Sequence, residues 1–382
     1  MIKKANRREF LGKAILACTA FAGSMTGTTE SFAGEPGYLQ QVRPGVLSWL
    51  ESVRHTDEGW GRWKYHAAMQ RPYALQASGL AIGILDMLGE LKHVSPTQRE
   101  QAVGFFQSCQ DANDHLLKDP LENEECYTGY HTWEQVWGQR NGSALAAMEL
   151  LGAEPLLPRV KAQFGDLSVV DGRRWTLEQI DWSNPWKNGE SWSRAIRAYL
   201  NTLPPQRQND KEPVLAAAFE AMESEIFDPA TGTPCRRMPE QNPSVAMAGL
   251  FKVISGYVAA GRPVPHARAG IDSTLALQHE DGDFGFRNNM CINWDALWVL
   301  RELDRQLEGA YRHQDIVQAG NRCARMLLKK YRKADGGFSF QGDHCITVHH
   351  SIRLCDRPQA ISDMLGTSMC LRCLAYADQW NE

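Results

Sequence analysis

The sequence predicts an all-α protein built from six helical hairpins. Apolar residues recur at helical spacing in paired segments,. The pairs repeat with a period of about 50 residues, as in helical repeat arrays. A stretch of turn residues separates the two members of most pairs, and sustained two-residue alternation is sparse, with no strand-helix-strand cadence,.

The hairpins follow in order. The first pairs residues 46–54 (VLSWLESVR) with 73–91 across HTDEGWGRW. The second pairs 98–109 with 131–151 across a long polar loop, and the third occupies 155–204 with 190–200 as its clearest helix. The fourth pairs 212–226 with 245–260 across DPATGTPCRRMPEQNP. The fifth pairs 267–278 with 292–307 across HEDGDFGFRNN, and the sixth pairs 316–331 with 362–380 across ADGGFSF and a longer insert. Six such hairpins suit either an open solenoid, which needs polar caps, or a closed ring, which needs none.

Residues 1–33 stand apart as a signal segment, leaving 34–382 as one expected domain. A basic start, NRREFLGK and the short apolar run Ala14–Ala22 resemble a twin-arginine (Tat) export signal,. The run is too short for a comfortable membrane span. Export through the Tat translocase to the periplasm or outside the cell is therefore expected, with lipidation at Cys18 as a weaker reading. The segment carries five basic and two acidic residues, so removing it takes the formal net charge from −4 to −7. No long basic tract is present, and nucleic acid is not an expected partner,. Of ten cysteines nine follow the segment, an odd number without a disulfide-framework spacing,. Cys370-x-x-Cys373 reads as helix packing.

The turns carry a resemblance. Leu277-Gln278-x-x-Asp281-Gly282-x-Phe284-Gly285-Phe286 resembles the repeat of the prenyltransferase and squalene cyclase superfamily. Asp335-Gly336-Gly337-Phe338 repeats it, and Asp57-Glu58-Gly59-Trp60-Gly61 does so more loosely. The resemblance implies an α6/α6 toroid, with inner and outer rings of helices and a ligand funnel where the inner helices begin. It says little about chemistry, since similar rings host unrelated functions. The Asp-x-Asp-Asp stretch of the cyclases is absent. Protein prenyltransferases bind zinc through an Asp-x-Cys pair and a later His. Asp343-His344-Cys345 is similar to that pair, but the third ligand would have to be His349 or His350, in the same stretch rather than a later repeat. Cys345 and His349 are four apart, so a helix would put them on one face.

Polar and aromatic residues recur where the funnel is expected. A carbohydrate-active enzyme needs aromatic platforms for sugar rings, and Trp133, Trp182 and Trp186 suit that, with His66 and Asn293 as further substrate contacts. A polysaccharide lyase needs a base, an acid and a stabilising cation. His131, Tyr130 and Arg140 suit those roles. A glycoside hydrolase needs two carboxylates, and Asp295 and Asp343 are the best placed. The expected function is thus a carbohydrate-active enzyme on a glycan or another small or polymeric ligand. A terpenoid cyclase- or prenyltransferase-like protein, with or without zinc, and a non-catalytic ligand-binding ring are the alternatives.

Overall fold

A computed structural model describes residues 37–157, 171–202, 211–238 and 240–382. The signal segment and Cys18 lie outside them. The chain is mainly helical, as expected: the described residues hold twelve α-helices and one two-stranded ribbon. They form two compact units. The middle unit comprises the described residues of 161–287 with 291–323, and the terminal unit those of 19–160 with 288–290 and 324–382.

The terminal unit holds α1 (Tyr38–Ser52), α2 (Leu75–Met87), α3 (Pro96–Ser108), α4 (Trp133–Leu150) and α12 (Met364–Trp380). Helix α2 is buried nearly all round, because LQASGLAIGI has no charged residue to turn toward water,. It crosses α4 closely: a Cβ on Gly79 would stand 2.6 Å from the Ser143 carbonyl. Its first N–H has no cap from its own segment, and Asp119 supplies one, accepting from Leu75 N at 2.7 Å,. Helix α12 packs on both α1 and α2. The Asp378 carboxylate near the end of α12 accepts from the Tyr38 and Leu39 N–H groups at the start of α1.

The middle unit holds α5 (Gly172–Arg174), α6 (Pro185–Thr202), α7 (Lys211–Ala221), α8 (Pro243–Ala260), α9 (Ala267–Leu275), most of α10 (Met290–Gln306) and most of α11 (His313–Met326). Helix α8 is long and apolar enough to cross a membrane, yet two-thirds of it is buried inside the protein. It is a core helix. Small residues let α6 approach it, with Gly249 against Pro185 and Gly256 against Trp192. Trp192, Phe219 and Tyr257 pack around that crossing, ring centroids 4.8–5.7 Å apart,.

The repeated Gly-aromatic stretches become one repeated structure. After the first helix of five hairpins the chain turns back and closes an isolated β-bridge: Arg54 with Trp63, Gln110 with Leu117, Asp228 with Thr233, Gln278 with Phe284, and Arg332 with Phe338. In four of them a side chain of the following helix pins the turn. Ser78 Oγ accepts from Trp63 N, Asn141 Oδ1 from Leu117 N, Asn293 Oδ1 from Phe284 N and Thr367 Oγ1 from Phe338 N, at 2.8–3.1 Å. Asn293, expected to meet substrate, is fully buried in this role and also donates to Asp283. The turn glycines touch the backbone of another helix. A Cβ on Gly61 would stand 2.6 Å from Ala102 Cα in α3, and one on Gly282 2.5 Å from the Arg322 carbonyl in α11. Gly232 meets Gly270 in α9 in the same way, and Gly336 meets Gly45 in α1.

Candidate functional site

A dense polar cluster lies in the terminal unit, around a ribbon of two short strands, β1 (Val348–His349) and β2 (Ile352–Arg353). Val348 pairs with Arg353 and His349 with Ile352, so only His350 and Ser351 form the turn. Both have positive φ, 44° and 67°. A two-residue hairpin turn asks for this conformation and usually takes Asn or Gly. Non-glycine residues held there store about 1–3 kcal/mol each, and such strain clusters at functional sites.

The loop before α4 lies against this ribbon. Tyr127 bridges Ile352, Arg353 N donates to the Cys126 carbonyl, and Thr128 N donates to the Ser351 carbonyl. The Ser351 hydroxyl accepts from His131 N and stands 3.3 Å from His131 Nδ1. A capping box between Thr132 and Gln135 then starts α4,. The result is a run of rings. Tyr130 meets His131 edge-on at 4.7 Å, His131 meets His350 at 5.2 Å, and His350 stacks on His349 at 4.0 Å. Tyr130 is 83% exposed, His131 half-buried and His349 buried, so the run leads from solvent inward.

Behind it lies a buried chain of hydrogen bonds. Tyr65 O–H donates to Gln76 Oε1 at 2.6 Å, and His349 Nδ1 stands 3.0 Å from the Tyr65 oxygen. Arg140, fully buried, donates to the same Gln76 oxygen. Its Nε and Nη2 clasp both oxygens of Glu122, whose side chain is 1% exposed. Burial, the Arg140 charge and His131 push His349 well below the usual histidine range, so its ring is neutral,. A neutral His349 protonated on Nδ1 completes the chain. Arg140 is therefore engaged inside the protein, and it holds the Tyr65–His349 pair rather than facing solvent.

The sequence-predicted zinc set does not assemble. Asp343 is exposed and pairs with His344 at 2.7 Å, and His349 turns to Tyr65. Cys345 groups instead with His66 and Cys355: their ligand atoms all lie within 4.8 Å of one another, and all three residues are buried. Burial pushes the Cys345 thiol up to about 12 and lowers His66 to about 4, so without a metal all three are neutral.

The remaining expected residues divide. Trp133 stacks with Tyr127 and Trp137 at 4.7 and 5.6 Å, and its indole N–H donates to Glu124. Trp182 is 4% exposed and donates to the Thr176 carbonyl, a packing role. In the middle unit Trp186 lies beside Phe286 and its indole bonds Asp295. Burial pushes that carboxyl up to about 8, only partly offset by Lys252 and Trp186. Asp295 Oδ2 has no hydrogen-bond partner.

A pH dependence follows for Asp295. A folded-state value above the unfolded one means that the folded protein holds the extra proton. The associated stability is full below about 4 and is lost as pH rises to about 8,. The loss is on the order of a few kcal/mol. Asp295→Asn removes it, so urea midpoints of wild type fall across this range relative to the variant. Parallel profiles would refute the assignment. Cys291 and Lys252 face the same carboxyl and are unchanged in both proteins.

Glu122, Gln76, Ser351 and Cys355 join the cluster although the sequence did not single them out. For Ser351 a signal existed: a two-residue turn between short β-prone runs (ITVHHSIRL) marks a ribbon tip,. Comparison with known proteins found no matching family model, no matching curated protein and no matching solved structure.

Proposed function

We propose that this protein is an exported α6/α6 toroid that acts as a carbohydrate-active enzyme of the lyase type, at the Tyr130–His131 face. The observation that carries the reading is the contact of two proton carriers, an exposed phenol and a half-buried imidazole 4.7 Å apart. In a β-elimination the base removes the proton alpha to a uronate carboxylate, the C–O bond to the leaving sugar breaks, and a C=C bond forms. His131 takes that proton and Tyr130 protonates the departing oxygen. Arg140 acts through Glu122, Gln76 and Tyr65 as a positioning residue. A hydrolase reading has less support, because Asp343 is exposed and already paired with His344. Support for the ring comes from four turn glycines: Gly61, Gly232 and Gly282 of the first, fourth and fifth hairpins each abut the first helix of the next hairpin, and Gly336 of the sixth abuts Gly45 of the first.

The test is ultraviolet absorbance of unsaturated products from a panel of uronate polymers. His131→Ala is expected to lower the rate by about 10²–10⁴-fold, the range for a lost general base. Tyr130→Phe lowers it without preventing binding. A panel that gives no unsaturated product, or a His131→Ala rate equal to wild type, would sink the reading.

A further inference from the structure

We propose that His66, Cys345 and Cys355 bind one zinc ion, with a fourth coordination position left for water or a substrate atom. The three residues come from separate segments of the terminal unit. His66 lies in the turn before α2, Cys345 on the arm entering β1, and Cys355 on the arm leaving β2. The ribbon register sets the two arms against each other, and Leu354 N and Cys355 N both donate to the Thr347 carbonyl. The entering arm is fixed a second time, because Ile346 N donates to the buried Asp363 carboxylate that also starts α12.

His66 supplies the observation that points to a ligand. It is fully buried, its Nε2 faces the Ile346 carbonyl at 3.2 Å, and its Nδ1 has no hydrogen-bond partner. A carbonyl on one ring nitrogen fixes the proton there and leaves the other as a lone-pair donor, the usual outer-shell arrangement of a metal-bound histidine. A buried polar atom without a partner is costly, and a metal removes that cost. One ring nitrogen of His66 and the two Sγ atoms lie within 4.8 Å of one another. Tetrahedral zinc ligands at about 2.0–2.3 Å from the metal stand about 3.3–3.8 Å apart, so binding needs only a contraction of about 1 Å. Two thiolates and an imidazole are a soft set that selects zinc over magnesium or calcium. Three protein ligands, not four, are the pattern of zinc sites that keep an exchangeable position. The site does not depend on the lyase reading.

The test is metal content of the untagged chain from zinc-supplemented culture, by plasma mass spectrometry. About one zinc per chain is expected. Cys345→Ser and Cys355→Ser each lose it, and Asp343→Asn keeps it. After stripping, cobalt gives a thiolate charge-transfer band in wild type. A zinc-free chain, a Cys345–Cys355 disulfide seen by intact mass, or zinc retained in both cysteine variants would overturn the proposal. If the cysteine variants do not fold, the cobalt spectrum of wild type decides, and absence of the band overturns it.

Discussion

Arg140→Met lowers the stability of the terminal unit by about 3–5 kcal/mol, the cost of leaving one charge of a buried pair alone. Arg140 is fully buried and the Glu122 side chain nearly so, joined by two parallel hydrogen bonds of 2.9 Å. Removing the guanidinium strands Glu122 and also deprives Gln76 Oε1 of a donor. Arg71 lies 3.8 Å from Glu122 and rescues only part of the loss. Glu122→Leu strands the arginine and costs a similar amount. The double variant recovers a large part, because two apolar side chains replace two charges. Urea unfolding of the four proteins checks this. A single-variant loss below about 1 kcal/mol would place the pair in the weak class of surface ion pairs and refute it.

Gly336→Ala is the second large effect, about 2–5 kcal/mol, from backbone strain together with overpacking. Its φ is +105°, which side-chain-bearing residues rarely adopt, and a Cβ there overlaps the Gly45 carbonyl in α1. Neither neighbour is the free end of a side chain, so the helix backbone itself must shift. Gly152→Ala is the control, with φ +72° and nothing within 4 Å of the added carbon. It loses about 1 kcal/mol, from conformation alone. Equal losses in the two variants would show that the contact with α1 contributes nothing.

The helices were legible in the sequence because each buries an apolar stripe at fixed spacing. The segments expected at 98–109, 245–260 and 362–380 are found at Pro96–Ser108, Pro243–Ala260 and Met364–Trp380. The first helix begins earlier than expected, at Tyr38, since its polar YLQQ opening and internal Pro44 hide the period. The repeated turns were legible through Gly and aromatic residues, but the residues that pin them were not. Ser78, Asn141, Asn293 and Thr367 do one job with three kinds of side chain. The site was half legible. His131, Arg140 and His349 are close in the fold, whereas His66 meets Cys345 and Cys355 across nearly 280 residues of chain, which no local period encodes. Trp133 and Trp182 show the opposite error: an indole near an expected funnel is as suited to packing as to sugar.

The terminal unit has a consequence for synthesis. It is discontinuous, since its first residues are made early and α12 comes last. Helix α2, apolar on nearly all sides, meets α4 soon after it is made but emerges about 280 residues before α12, which packs on it as well. At ribosomal speeds of about 5–20 residues per second it waits for tens of seconds. The middle unit can fold during that interval, while the early helices stay open to aggregation or to a chaperone. A chain stopped before α12 is thus not a shorter version of this protein but one whose first hairpin has lost the helix that packs on both of its members.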